Sequence, residues 1–498
     1  LSTDSKENVR ATVQFAGDAC IDPSFRGCCF YESDSTQAAV LLRQDGDIVL
    51  SEKNGTPLWL RRKQGSSVLD LVAVRPKPLA TNEILREHFS THSFSHLLPL
   101  LHFMREVAGQ PETPAVPRQA CIVIDDPSLY FTSYGFINFK KLAEHAKQHG
   151  YHVAIATIAI DAWKINSRVA AIFNDYPDNL SLIIHGNNHL WQELSADRSV
   201  SWLRAILAQA LQRFKGCRLQ NYAPILEAPY GTFVAEATEQ ISQLGYAAAL
   251  CTPSQFIGLN RQSAFPAAFG SGSTDVFPDG LCTIPRLVMS EDWRLEIAIA
   301  AFLRQPIVLA CHHQDFFEGM GLLAEFTAAI NRLGPIHWCS LREIAKANYS
   351  LRKENTTLYI TLGSRNVECR LPPDVNAVVI ERPWVKQQER LILMDESGTN
   401  ATIDILSGVA TEPLTWKHKE RSVLRIESPV LAAVHPDTVE PPARRLWPVV
   451  RKVLQEARDR LYPLLPVTLI SYLQNRKTQR YESTAQSSRI AKGSYARP

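Results

Sequence analysis

The stretch ACIVIDDPSLY, Ala120 to Tyr130, decides how this chain is read. An apolar run of strand type ends in two adjacent aspartates, Asp125 and Asp126, and a proline then stops it. Alone, such an ending is the turn or helix cap that follows many strands. Its surroundings say more. From Ala120 onward the sequence alternates strand and helix, with candidate strands CIVID, HVAIATI, LSLIIHG, APILEAP, AAALC, CTIPRLV, IVLACHH and IHWCS. Helical stretches such as NFKKLAEHAKQHG and VAEATEQISQLG lie between most of them and close on glycine, the usual C-terminal stop. Nearly unbroken apolar strands joined by helices describe a parallel sheet buried on both faces. A closed β/α barrel is the natural form, with an open doubly wound sheet as the competitor.

The flanks have a different rhythm. Short β-type runs (ATVQF, CCFYE, DIVLS, PLWLRR, VLDLVAV) fill the first part, and Asn82 to Val107 reads as largely helical with a kink or break at Pro99. Prolines 111, 114 and 117 read as a linker. After the barrel, TTLYITLG, VECRLP, AVVIERP, RLILMD, ATIDILSG and SVLRIES fit a small β-sandwich. The expected organisation is a multidomain α/β protein: 1–115 a β-rich accessory domain with a helical segment, 116–350 a distorted, TIM-like β/α barrel, 351–435 a small β-sandwich-like domain, and 436–498 an amphipathic helix with a basic, disordered tail. That helix, RRLWPVVRKVLQEARDRL, reads as docked on its own protein, with a membrane-surface role as the alternative.

Composition bounds the function classes. The chain has 498 residues, 45% of them hydrophobic, and a formal charge of +3, which makes no global case for a nucleic-acid partner. Its 10 cysteines follow no CxxC or Cys/His ribbon spacing, and half lie inside apolar runs, which favours a reducing compartment. No apolar run reaches the roughly 18 residues of a membrane helix. A cytoplasmic protein without an integral membrane segment is expected, its oligomeric state open.

In a β/α barrel the active-site face is built from the C-terminal ends of the strands. Those ends deliver Asp125 and Asp126; His185 followed by Gly186, Asn187, Asn188 and His189; and Glu227 followed by Pro229, Tyr230 and Gly231. They also deliver Arg286, leading to Glu291, Asp292 and Trp293, and finally His312, His313, Gln314 and Asp315. One carboxylate and two imidazoles from neighbouring strand ends make a three-ligand site with an open position, the arrangement of a hydrolytic metal. One aspartate can bind the metal while the other stands by as general base, and His312 or His313 can act as general acid. The backbone N–H of Tyr230 can polarise an acyl oxygen.

This constellation resembles the NodB-type polysaccharide deacetylases of carbohydrate esterase family 4, over roughly Ala120 to Tyr349. The resemblance implies a distorted β/α barrel, a divalent metal, most simply Zn²⁺, and an acetylated glycan or glycolipid substrate. By VIDD, Asp125 is the catalytic base and Asp126 a metal ligand. By HGNNH, His185 and His189 are the other ligands. By PYG, Pro229 shapes the pocket and Tyr230 supplies the oxyanion contact. EDW is a loose match to the motif whose aspartate and tryptophan, here Asp292 and Trp293, steer the catalytic histidine and wall the pocket. LACHHQDF places His312 as the acid, with His313 as the alternative. The chain departs from the family at Glu227, where arginine is usual, and at Gly186 and Asn187. Arg286, from another strand, is the candidate replacement for the missing arginine.

Two readings compete with a deacetylase. A non-catalytic carbohydrate-binding or assembly module would account for the missing arginine but not for a base, triad and acid kept together. A non-haem iron oxygenase shares the two-histidine, one-carboxylate triad but has no use for the second aspartate. Trp163, Trp191 and Trp338 read as packing residues, with sugar stacking as the alternative. His337 reads as a core histidine. His88, His92 and His96 recur every four residues and would share a solvated or docked helix face.

Overall fold

The computed structural model describes residues 10–466 apart from 34–38, 82, 109–116, 192, 196, 218, 220, 373, 385–387, 396–399, 411–412, 416–422 and 431–432. The linker prolines at 111 and 114 and the basic tail from 467 lie outside the described residues.

Every candidate strand of the central region forms β structure, CTIPRLV as two strands: β1 (Arg118–Asp125), β2 (Val153–Thr157), β3 (Leu180–His185), β4 (Tyr222–Glu227), β5 (Ala248–Cys251), β6 (Cys282–Pro285), β7 (Leu287–Val288), β8 (Ile307–His312) and β9 (Ile336–Trp338). Between them run α1 (Phe139–His149), α2 (Ser167–Asp175), α3 (Val200–Phe214), α4 (Ala237–Gln243), α5 (Pro253–Leu259), α6 (Trp293–Phe302) and α7 (Gly321–Asn331), and α8 (Leu341–Lys346) follows β9. Local chemistry sets several boundaries. Asn138 and Ser199 accept the N–H of Lys141 and Trp202 at the starts of α1 and α3, and Gly150 ends α1 in the left-handed region.

The strands are ordered β6-β5-β4-β3-β2-β1-β8-β7 and pair in parallel. β6 and β7 are one sequence run interrupted at Arg286. Its first half pairs with β5 and its second with β8, so a single run bridges both edges and nearly closes a barrel. The expected ring of eight is reduced, because β9 pairs only with the first residues of β1, Arg118 to Ala120, while β8 takes Ala120 to Asp125. β9 therefore lies at the rim, and His337 is exposed instead of sitting in the core.

Alternation along the strands separates two cores. Cys121, Val123, Ala154, Ala156, Ile183, Ile225, Leu250, Ile284, Val308 and Ala310 pack with one another and with α8. Their neighbours Ile122, Ile124, Ile155, Ile184, Leu226 and Leu309 pack into a separate cluster with the surrounding helices. Two residues beyond the last members of the inner set stand Asp125, His185, Glu227, Arg286 and His312. The strand register itself thus gathers these polar residues into one layer at the barrel mouth.

The N-terminal strands form a five-stranded antiparallel sheet, ordered Cys29–Glu32, Ala11–Phe15, Ile48–Lys53, Thr56–Gln64, Ser67–Val72. The helical stretch expected from Asn82 resolves into two helices, Leu85–His88 and Leu98–Ala108. Pro99 sits in the first turn of the second, where its missing N–H breaks no helical bond. His88, His92 and His96 consequently share no helix face. His88 pairs with Glu83 at 3.3 Å, His92 is hydrogen-bonded to Ser33 at 2.9 Å, and His96 is buried. Phe15, Phe25, Phe30 and Phe94 form an aromatic cluster that reaches Phe302 of α6 and so joins this sheet to the barrel. At the other end, strands between Tyr349 and Glu427 form a nine-stranded sheet around its own apolar core. The last described helix is α9 (Leu446–Leu461). Among the described residues no helix is long and apolar enough to cross a membrane.

Phe25 is fully buried and touches four other rings. Phe25→Ala is expected to cost about 3–5 kcal/mol, read as an earlier urea transition of the N-terminal sheet. Tyr31→Ala, on an exposed neighbour, serves as the control expected to change little.

Candidate active site

The inward layer is an ion chain. Arg286 Nη2 lies 3.1 Å from Asp125 Oδ2, and its Nη1 pairs with Glu227 Oε1. The other oxygen of Glu227 pairs with His185 Nδ1. All four side chains are buried. Carboxylates removed from water need a partner at hydrogen-bonding distance, and Arg286 serves two of them at once. This places Arg286 against Asp125 from across the barrel, where Glu227 stands in the position expected to hold arginine.

Asp126 leaves the strand register through a left-handed backbone, φ 81°, and its N–H donates to the Ala156 carbonyl at 3.1 Å. Its Oδ1 then lies 3.7 Å from His185 Nε2 and 3.6 Å from His189 Nε2. Ligands about 2.1 Å from a tetrahedral ion are separated by roughly 3.4 Å, so both distances from Asp126 Oδ1 stand close to that spacing, and all three atoms lie within 4.8 Å of one another. Asp126 Oδ1 is buried with no hydrogen-bond partner among the described residues, which fits an oxygen reserved for a cation. Burial opposes ionisation of Asp126, but His189, His312, Lys452 and His313 outweigh it and hold the carboxyl at about 2. Burial lowers His189, as do the charges of Arg451 and Lys452, against the pull of Asp126, and the neutral imidazole is the form that binds a metal. Asp125, His185 and Glu227 form a second, adjoining group of possible ligands. Two of these carboxylates are already engaged by Arg286.

The loop carrying His189 is held from beneath. The Glu193 carboxylate accepts the N–H groups of Asn187, Asn188 and His189 at 3.1, 2.7 and 3.1 Å, and Arg213 donates to the Asn187 carbonyl at 3.0 Å. A Cβ at Gly186 would stand 2.4 Å from Pro229 Cγ, so only glycine lets the histidine loop close on the Pro229–Gly231 turn. In that turn Tyr230 is also left-handed, φ 62°, and its ring lies 5.2 Å from His189 and 4.9 Å from Trp191. Trp163 and Trp191 are exposed, whereas Trp338 donates its indole N–H to Asn331 at 2.9 Å.

The adjacent histidines separate. His312 stands opposite Asp125 in the strand register, is half-buried, and donates its backbone N–H to Asp315 at 2.7 Å. His313 is sealed among Tyr134, Phe136 and Tyr462, with its Nε2 3.4 Å from Asp459 of α9. Tyr134 donates to the same carboxylate at 2.5 Å. Asp292 and Trp293 are not brought to this group: Asp292 faces Arg10 at 3.6 Å, and Trp293 is buried with its ring 4.8 Å from Phe326. The carboxylate facing a strand-end histidine comes from Asp459, which sequence reasoning missed. Arg451 and Lys452 were missed with it; they reach His189 at 3.3 Å and Asp161 at 2.7 Å. The only sequence signal for all three was the polar face of that helix.

No protein-family model matches the sequence, and no curated protein matches it. Solved structures do. A protein from Mycobacterium smegmatis assigned as a polysaccharide deacetylase is 11% identical over 48% of this chain and 92% of its own, with a TM-score of 0.33. The Xyl-CE4 domain of a multidomain xylanase from the hindgut metagenome of Trinervitermes trinervoides is 12% identical, covers 45% of this chain and 87% of its own, and has a TM-score of 0.25. The YdjI aldolase of Escherichia coli K12 is 9% identical, covers 44% of this chain and 87% of its own, and has a TM-score of 0.22. Likenesses this distant carry no argument about activity, which has to be read from the site.

Two outcomes test this geometry. Arg286→Met leaves Asp125 and Glu227 buried without their common cation and is expected to cost about 3–5 kcal/mol at neutral pH by chemical denaturation. For Asp459, burial pushes the carboxyl up, but His313, Tyr134 and Arg458 together hold it below its ordinary value. Its folded value is thus depressed, so its contribution is fully present above about pH 4 and lost as the pH falls further. Denaturation curves between about pH 2 and about pH 5 should show Asp459→Asn losing part of the acid sensitivity of the parent protein.

Proposed function

We propose that the chain is a metal-dependent hydrolase that removes acetyl groups from an acetylated sugar or polysaccharide. The observation that carries this reading is the convergence of Asp126, His185 and His189 beside a second carboxylate, Asp125, fixed by Arg286. Asp126 Oδ1 and the Nε2 atoms of His185 and His189 would hold a divalent ion, and zinc suits this nitrogen and oxygen donor set. When bound, the ion supplies a Lewis acid and makes the attacking water more acidic.

The remaining roles belong to the protein. Asp125 Oδ2 is engaged by Arg286, while its Oδ1 is buried with no hydrogen-bond partner among the described residues and is the atom that accepts the proton of the attacking water. Glu227 holds His185 through Nδ1 and so directs Nε2 toward Asp126. The N–H of Tyr230 donates to the acyl oxygen, and the Pro229 ring fixes that turn against Gly186. His312 protonates the departing amine or alkoxide; its partial exposure beside Asp125 supports this over the sealed His313. Trp191, exposed beside Tyr230, offers an apolar face to a sugar ring.

The test is acetate release from N- and O-acetylated glycans by the zinc-loaded full chain. Asp125→Asn should lower kcat by about 10²–10⁴-fold while retaining stoichiometric zinc, and Asp126→Ala should lose the zinc itself. No acetate from any such glycan would overturn the assignment, and substrate binding indifferent to chelation would favour a carbohydrate-binding module.

A further inference from the structure

Helix α9 is mounted with its amphipathic faces reversed relative to an ordinary surface helix. Four of its charged side chains, Arg451, Lys452, Glu456 and Asp459, point into the protein, while Arg458 stays exposed. Lys452 is 6% exposed and Asp459 0%, paired with Asp161 and with His313, Glu456 accepts a hydrogen bond from Ser128 at 2.9 Å, and Arg451 reaches His189. Its apolar side chains point out. Leu446, Val450, Val453 and Leu461 follow one another at helical spacings of four, three and eight residues and share one stripe, with Leu446 82% and Val453 63% exposed. Trp447, Leu454 and, just beyond the helix, Leu464 widen the stripe.

The helix cannot roll over to hide this stripe. Turning it would strip partners from Asp161 and His313 and expose the pairs that anchor it, leaving buried charges uncompensated. The apolar stripe is therefore locked outward. The charge around it is equally lopsided. Arg444 and Arg445 are exposed at the N-terminal end of α9, where the helix dipole favours anions, and no acidic residue occupies the first turn. In sequence, residues 467–498 add six lysines and arginines against one glutamate.

We propose that this face of α9 is a docking surface for an anionic phospholipid bilayer, in which the outward stripe enters the boundary between headgroups and acyl chains. Arg444 and Arg445 pair with lipid phosphates, which supply the negative charge that the helix N-terminus lacks. Phe131, exposed beside α9 with the Arg460 guanidinium 3.8 Å from its ring, lies at the edge of the same surface. The inward face of the same helix meets the barrel mouth, so docking holds the mouth close to the lipid surface. It does so whether or not the mouth turns over an acetylated sugar.

The test is sedimentation of the full chain with vesicles of zwitterionic phospholipid, alone or with added anionic phospholipid. Binding is expected on the anionic vesicles, with Val450→Glu/Val453→Glu lowering the partition coefficient about tenfold or more. Arg444→Glu/Arg445→Glu, which leaves the stripe intact, should abolish the preference for anionic lipid. Near-ultraviolet circular dichroism identical to the parent protein shows that a variant is folded. The proposal is overturned if the parent chain stays in the supernatant with both vesicle types, or if folded glutamate variants bind as it does. It is also overturned if light scattering shows a dimer dissolved by those substitutions without vesicle binding, because the stripe then belongs to a second copy of the chain.

Discussion

The arrangement of the barrel mouth depends on one guanidinium. Arg286 is the residue at which the run CTIPRLV stops pairing with β5 and begins pairing with β8. At the same point its side chain joins Asp125, from the far side of the ring, to Glu227. Closing the sheet and neutralising the buried carboxylates are thus one event. An open sheet would leave Asp125 and Glu227 apart from their cation, and uncompensated buried charge is among the costlier defects a fold can carry.

The same chain of contacts accounts for the departure at Glu227. A carboxylate there does two things an arginine could not do from that position: it receives Arg286 and it grips His185 through Nδ1. The grip selects the ring orientation that presents Nε2 toward Asp126. The cation that orients Asp125 then arrives from β6–β7 instead of from β4. What looks in sequence like the loss of a partner is, in three dimensions, an exchange of sides.

Much of this was legible because it is local. Strand identity followed from apolar runs between glycine-terminated helices, and Asp125, His185, Glu227, Arg286 and His312 were found by asking what stands at strand ends. What escaped depends on distance in the chain. Whether CTIPRLV bridges two edges, or IHWCS joins the ring, is settled by pairing partners that no window of sequence contains. EDW stands out as a loose match to a motif of the family the sequence resembles, yet Asp292 faces Arg10 and Trp293 fills a helix interface. The carboxylate opposite His313 is Asp459, more than a hundred residues downstream on an element that reads as separate.

Helix α9 shows a limit of periodicity itself. A 3.6-residue repeat divides a helix into two faces but does not say which is turned inward. The usual rule, apolar face in, assumes that the surface receiving the helix is apolar. Here that surface is the barrel mouth, where Asp126, Asp161, His189 and His313 are crowded in low-dielectric surroundings and gain more from Arg451, Lys452 and Asp459 than leucines could give them. Burial costs Asp161 part of its acidity, and the pairing with Lys452 works against that cost. The polar face goes in because the site needs charge, and the apolar face is left outside as a consequence of the chemistry beneath it.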